Sequence, residues 1–485
     1  MEIKVESKST NISKDEKNSK KYKKDLKINY LCICLFAFLT GTDFAVIIPT
    51  LWDRLHNDFQ ATGTFMGLVI SSYSFSGVIS GLIMGKLSDL AQKNKIFFMV
   101  SIFFAVLGHI LYFFGINKFL ILFSRALCGI SVGASTVALA FIARTTTEEK
   151  RTAVISLVMA SRQFGLMFGP AFNILLRRVN FYLFDKFLVD RKSMPGLFMA
   201  SSWSLYLLLF VFIFKEITTE LSTKENLDSE NLIDISEKKQ NDTSLNLKQN
   251  LSQFVRIEIF LLLGLSFFTY FNQTSLETMV TPFTEVMFGW SELENSILFC
   301  CGGIMIILSF LIIRLLSNRI NDRSMILIGL SSILIGLIIA CSFLPFVKKF
   351  DYLMPKNNSN QLNNQTSNYT NELINKSENK DENDTVFFGA FILFVVFDVI
   401  GLPVIAISSA SLFTKLIDKS VQGFGQGIQR GILGIGSIFG PLCAGPFVYK
   451  PLVLMMITLT IIGVIFILII IFFKKLKPTS EISDK

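Results

Sequence analysis

The chain has 485 residues, of which 51% are hydrophobic, 17% are charged and 49 are phenylalanine. A soluble domain of this size cannot hide that much apolar surface, so composition excludes the water-soluble classes and points to a membrane protein. The formal charge of +9 gathers in the N-terminal tail and beside the last apolar run, at Lys474, Lys475 and Lys477, which favours anionic lipid over nucleic acid as the basic partner.

Residues 1–27 carry nine lysines and no apolar region. They read as a disordered, basic cytosolic tail, with no cleavable signal before the first span. Twelve apolar segments follow, at 28–50, 62–84, 96–115, 118–143, 153–176, 194–214, 257–283, 294–313, 325–346, 386–412, 421–446 and 452–473. Two of them, Met325 to Phe346 and Leu452 to Phe473, contain no charge and reach the length of about 20 residues that crosses about 30 Å of hydrocarbon. The expected fold is an all-α membrane protein with twelve transmembrane helices in two six-helix bundles, 28–214 and 257–473. A cytosolic linker, 215–256, joins the bundles, and a cytosolic tail, 474–485, ends the chain.

All seven cysteines (Cys32, Cys34, Cys128, Cys300, Cys301, Cys341 and Cys443) fall inside the spans, which argues against a disulfide framework or a zinc site. Short loops holding Lys86, Lys93 and Lys95, then Arg144, Lys150 and Arg151, then Arg314, Arg319 and Arg323 set both termini on the cytosolic side by the positive-inside rule. One loop objects. Between spans five and six, RRVNFYLFDKFLVDRKS puts five basic residues on the outer side.

The linker, rich in Ser, Asn, Asp, Glu and Lys, holds too little apolar surface to fold alone. Its D-S-E-N-L-I, with Asp228, Leu232 and Ile233, matches an acidic dileucine sorting pattern. The polar loop at 347–385 carries five N-x-[ST] sequons, at Asn357, Asn364, Asn368, Asn375 and Asn383, and reads as a glycosylated luminal loop.

Span five contains RQFGLMFGP, with Arg162, Gly165, Gly169 and Pro170, and span eleven contains RGILGIGSIFGP, with Arg430, Gly436, Gly440 and Pro441. An arginine ahead of G-x-x-F-G-P, recurring six spans later, is what two parallel repeats produce. The glycines have a packing reason, because membrane helices gain from close backbone approach. Gly77, Gly81 and Gly85 make a similar stripe in span two.

G-K-L-S-D, Gly85 to Asp89, followed by Lys93 and Lys95, resembles the loop motif of the major facilitator superfamily. R-A-L-C-G-I-S-V-G, Arg125 to Gly133, is similar to its fourth-helix motif, and GLMFGP to its fifth-helix antiporter motif. Leu90 and Gln92 stand where that loop motif has arginine and glycine, and SNRINDR, Ser317 to Arg323, keeps only the acidic-basic character in the second half. L-E-T-M-V-T-P, Leu276 to Pro282, with Trp290, resembles the lysosomal branch linked to neuronal ceroid lipofuscinosis type seven. The resemblance implies a monomeric transporter of a small solute, with spans one, four, seven and ten lining its pathway, and with the sorting pattern it implies an endolysosomal address; the plasma membrane is the alternative.

An ionisable group at the bilayer centre costs at least about 2.5 to 3.5 kcal/mol, so each one is a functional candidate. Asp43 in span one and Arg125 in span four fall near one depth at about 1.5 Å per residue, as a pathway pair or a static tie. Glu277 in span seven and Asp398 in span ten are candidates for proton coupling. Arg162 and Arg430 occupy equivalent places in the repeats, to contact an anion or to cap carbonyls loosened by the glycines. His109, alone in span three, titrates in the range of an acidic compartment, although such a histidine more often donates to a neighbouring carbonyl. Pro403 after Gly401 bends span ten, as a hinge or a passive kink.

No phosphate loop, metal-ligand spacing or nucleophile-histidine pair is present, so neither an enzyme nor a cofactor is expected. The reading that results is a lysosomal secondary transporter of an anionic or zwitterionic solute. The alternatives are an anion (chloride) channel using the same arginines and a non-transporting sensor or scaffold built on the linker and the luminal loop.

Overall fold

The computed structural model describes residues 2–91, 93–146, 148–183, 187–216, 256–316, 319–347, 382–417 and 422–476. The long helices are α1 (Glu2–Asp53), α2 (Gly63–Ala91), α3 (Asn94–Phe114), α4 (Lys118–Val132), α5 (Ala134–Thr145), α6 (Glu148–Leu176) and α7 (Met194–Ile213), then α8 (Ile257–Phe288), α9 (Glu292–Leu316), α10 (Asp322–Phe343), α11 (Glu382–Leu416), α12 (Gln422–Ala444) and α13 (Pro451–Ile471). Helices α4 and α5 form one span broken at Gly133.

Among the described residues ten spans are long and apolar enough to cross a membrane by length and composition. The remaining two long helices, α6 and α12, carry the arginine-and-glycine motifs and are less apolar. Phe75, Leu82, Phe212, Phe260 and Leu315 are among the large apolar side chains left exposed, an outer surface that suits hydrocarbon rather than water.

The chain divides into two units, Met1–Phe59 with Val69–Asn246, and Gln60–Leu68 with Leu247–Lys485. In the first, Trp203 and Tyr206 of α7 pack with Phe36 of α1 and Phe98 of α3, and Tyr206 Oη donates to Cys32 O at 2.9 Å. In the second, Ile313, Met325 and Val404 form a small core between α9, α10 and α11.

Three expectations change. The basic tail continues the first span as helix from Glu2; it contains neither Gly nor Pro, so no residue stops the helix. The segment between spans five and six is a short antiparallel ribbon, Phe181–Leu183 paired with Phe187–Val189. Its aromatic residues, Phe181, Tyr182 and Phe187, together with Val189, favour strands. The eleventh helix starts at Glu382, which places Asn383 in its first turn. Asn357, Asn364, Asn368, Asn375, Asp228, Leu232 and Ile233 lie outside the described residues.

The turn that follows the ribbon accounts for two charges of the objecting basic loop. Lys192 Nζ lies 2.6 Å from Asp58 Oδ1 and 3.3 Å from Asp53 Oδ1, and Arg191 lies 3.5 Å from Asp53 Oδ2. Two of the five charges are therefore neutralised by the end of the first span. Burial works against the charge on Lys192, but Asp58 and Asp53 outweigh it and hold its pKa above the ordinary lysine value. The lysine's charge in the clasp is thus held through neutral pH and is lost as pH rises through that raised pKa.

Beside it, Arg54 donates to Phe113 O and Lys192 O, each at 3.2 Å, and its guanidinium lies 4.6 Å from the Tyr112 ring centroid. It supplies a cation to the exposed carbonyls at the end of α3. Gly115 has φ +32°, and a Cβ there would strike the Arg54 guanidinium.

At the opposite end of unit 1, the Glu216 carboxylate accepts from Asn94 N and Lys95 N, both at 2.8 Å. It satisfies orphan amides at the start of α3 and opposes the helix dipole. Unit 2 has a related stitch, in which Arg323 at the start of α10 donates to Phe473 O at 3.5 Å.

The motif glycines set helix register in both units. A Cβ on Gly165 would collide with Phe38 O and crowd Thr42 N, and one on Gly169 would meet Ala45 and Val46 N. In unit 2, a Cβ on Gly436 would meet Phe267 O and Phe271 N, and one on Gly440 would meet Thr274 and Ser275 N. Phe38 thus corresponds to Phe267, Thr42 to Phe271, Ala45 to Thr274 and Val46 to Ser275, at one constant offset. The α1–α6 contact is built again in α8–α12.

Leucine at Gly165 or Gly436 is expected to force these helices apart at a cost above the usual overpacking penalty of about 1 to 3 kcal/mol, because the obstacle is backbone. Fluorescence-detected gel filtration and a thermal-shift assay in detergent check this. Gly431→Ala, where a Cβ meets nothing within 4 Å, should leave stability unchanged or slightly raised.

Candidate functional site

The constant offset places Asn272 of α8 at the position Asp43 holds on α1. Each of these residues reaches the fourth span of its own unit. Arg125 Nη1 on α4 donates to Asp43 Oδ1 at 3.1 Å, and Asn272 Nδ2 donates to Asp398 Oδ1 on α11 at 2.8 Å. All four side chains are buried, with relative exposures of 0% for Asp43 and Asn272 and 3% for Arg125 and Asp398.

The two pairs have the same position and different electrostatics. In unit 1 a full cation balances the carboxylate, and the Arg125 guanidinium also lies 4.5 Å from the Tyr73 ring centroid, a cation-π contact that stabilises it away from water. His109 Nε2 on α3 stands 3.0 Å from Asp43 Oδ2, with both groups fully buried. His109 thus meets a carboxylate rather than the carbonyl expected from sequence. Its position in the apolar stretch Ile102–Phe114 of α3 was the available signal.

In unit 2 the described residues provide Asp398 with an amide and no cation. An amide donor supports a carboxylate oxygen without cancelling its charge, and the amide oxygen can accept from a protonated acid, so Asp398 has a partner in either state. Glu277, which is half-buried, accepts from Gln273 Nε2 at 2.9 Å one turn earlier on the same helix. It takes no part in the Asp398 pair.

The motif register corrects one expectation about the arginines. Aligning Gly165 with Gly436 puts Leu433 in Arg162's place, so Arg430 sits three residues, about 4.5 Å along the axis, nearer its helix start. Arg162 is half-buried and Arg430 is exposed, and neither forms an ion pair among the described residues. Beside Arg430, Gln429 Nε2 donates to Ser266 Oγ at 3.1 Å and ties α12 to α8.

Gly85 faces Thr136 across ordinary van der Waals space, 3.5 Å from a Cβ to Oγ1. The backbone of Asp89 lies in the last turns of α2; its side chain is outside the described set. Pro170 and Pro441 are buried within α6 and α12. Pro403 lies inside the continuous helix α11, whose Gly401 packs against Gly329 O of α10.

Comparison with known proteins agrees with this arrangement. The major facilitator superfamily domain-containing protein 8 of Xenopus laevis is 25% identical over 328 residues, covering 65% of this chain and 62% of that protein. The chain therefore spans less than two thirds of that relative's length. Among solved structures, a bacterial homologue of the human lysosomal transporter Spinster, inward-facing and unoccupied, aligns with a TM-score of 0.66 at 12% identity over 93% of this chain and 98% of that one. The D-xylose-proton symporter aligns with a TM-score of 0.63 at 14% identity over 93% and 98%. These likenesses are of fold. The sequence model of the Major Facilitator Superfamily matches residues 33–354, and with that match the chain belongs to the superfamily as a multi-pass membrane protein.

Proposed function

We propose that this protein is a secondary transporter of a small anionic or zwitterionic solute, working by alternating access between its two units in the lysosomal membrane. The observation that carries the reading is the pair of equivalent buried sites, Asp43–Arg125 and Asn272–Asp398, each joining the first and fourth helices of its unit. Fixed charge in one unit and a carboxyl with a neutral partner in the other divide two tasks. Arg162 and Arg430 supply net positive potential for the solute, and the Asp43–Arg125 pair presents it a fixed buried dipole. Asp398 takes up and releases the coupling proton as its surroundings alternate between dry and wet.

Burial favours the protonated form of a carboxyl, and exposure to a neutral aqueous phase favours the anion. A proton bound from an acid lumen would therefore be released when the site opens to the cytosol. The relative whose printed name includes proton symport shares the fold, and the likeness to a lysosomal transporter's homologue supports the address. Gly165, Gly169, Pro170, Gly436, Gly440 and Pro441 hold the helices against which these groups move. The motif residues Gly85 and Asp89 belong to the proposed gating elements.

Two outcomes are expected. Lysosomes purified from cells lacking the protein should accumulate, or lack, one anionic or zwitterionic metabolite several-fold in quantitative metabolite profiling. An unchanged profile, with the protein shown to reside in that membrane, contradicts the reading. Once that solute is known, Asp398→Asn should lower pH-gradient-driven uptake into proteoliposomes by at least about tenfold, equivalent to about 1.4 kcal/mol, while solute exchange at equal pH persists. Glu277→Gln should retain gradient-driven uptake, since Glu277 lies outside the pair.

A further inference from the structure

The Asp43 site contains a second constellation that solute transport does not require. A carboxylate oxygen of Asp43, a ring nitrogen of His109 and the sulfur of Cys128 lie within 4.8 Å of one another, and all three residues are buried. They come from α1, α3 and α4. The His109 ring interacts with both of the others, with Nε2 3.0 Å from Asp43 Oδ2 and Cys128 within reach of the ring.

The arrangement follows the pattern of a metal-binding histidine. Such a ring turns one nitrogen to a carboxylate, which fixes its tautomer, and binds metal through the other. Nε2 faces Asp43 at 3.0 Å, so Nδ1 is the nitrogen left to ligate. Metal bonds of about 2.0 Å to imidazole nitrogen and about 2.3 Å to thiolate let one ion bridge donors up to about 4.3 Å apart, close to the 4.8 Å within which the Asp43, His109 and Cys128 ligand atoms gather.

Charge selects the ion. Arg125 at 3.1 Å already neutralises Asp43. A divalent ion with the Cys128 thiolate would leave one net positive charge in the buried site, and an uncompensated buried charge costs several kcal/mol. A monovalent ion with that thiolate leaves none. Thiolate and imidazole are also the soft and borderline donors that favour copper in its lower oxidation state. We propose that His109 and Cys128 hold one Cu(I) ion, with Asp43 orienting the histidine and Arg125 balancing Asp43. On binding, the Cys128 S–H bond breaks, its proton passes to solvent and the sulfur–copper bond forms; no electron is transferred. The site is independent of the transport reading and stands whether or not the protein carries a solute.

The full chain, purified in detergent with a tag free of histidine and cysteine, is loaded anaerobically with Cu(I) acetonitrile complex and passed through gel filtration. Elemental mass spectrometry should find one copper per chain. Cys128→Ser and His109→Gln should reduce it to background, and Cys301→Ser, at an exposed cysteine, should not. X-ray absorption of the wild-type sample should show sulfur and nitrogen together in the copper shell, a readout that holds even where a variant fails to fold. Copper-free wild-type protein, copper that survives Cys128→Ser, a shell without nitrogen, or zinc bound through Cys128 in preference to copper would each overturn the assignment.

Discussion

A buried charge in a bilayer persists only when a partner offsets its loss of water, and here the placement of two such pairs depends on backbone contact between helices. Gly165 and Gly169 let α6 lie against α1, and Gly436 and Gly440 let α12 lie against α8. Those contacts fix the rotation and height of the first helix of each unit. Asp43 and Asn272 then face the fourth helix at the same level and meet Arg125 and Asp398. A one-residue slip would turn either side chain by about 100° and strand a polar group in an apolar environment.

The identical scaffold and the differing residues explain how one architecture separates fixed charge from titratable charge. Arg125 is held by Asp43 and by the Tyr73 ring, with His109 on the second carboxylate oxygen. Removing one member of such a buried set costs about 3 to 5 kcal/mol because the other charge is left behind. The amide–carboxyl pair of unit 2 is less constrained, since Asp398 keeps a hydrogen-bond partner in either protonation state. On the proposed mechanism the first set presents a fixed dipole to the solute, and the second changes charge during the cycle.

Much of the fold was legible in the sequence, because apolar runs of membrane-spanning length encode helices directly. Counting 1.5 Å per residue put Asp43 and Arg125 at one depth, and they meet at 3.1 Å. The echo of G-x-x-F-G-P marked two helices whose close contacts are the same in both units. The partner of Asp398 was not legible, because Asn272 is an ordinary polar residue until the glycine contacts align it with Asp43. Arg162 and Arg430 looked equivalent because each precedes the motif, yet their spacing to it differs by three residues, a difference only the contact register makes meaningful. His109 gave a titratable side chain without a partner, since its neighbour lies 66 residues away on another helix. The ribbon at Phe181–Val189 and the ties from Lys192 to Asp53 and Asp58 arise from pairing between loops, which a linear pattern of charge does not disclose.

The central claim is that the charges of the Asp43–Arg125 pair work in transport and do not merely tie α1 to α4. The most direct measurement is solute uptake by the double variant Asp43→Asn with Arg125→Gln, reconstituted beside wild-type protein. Neutralising both partners leaves no orphan charge, so thermal stability should stay close to wild type, and uptake should be lost. A stable double variant that transports as wild type would contradict the account.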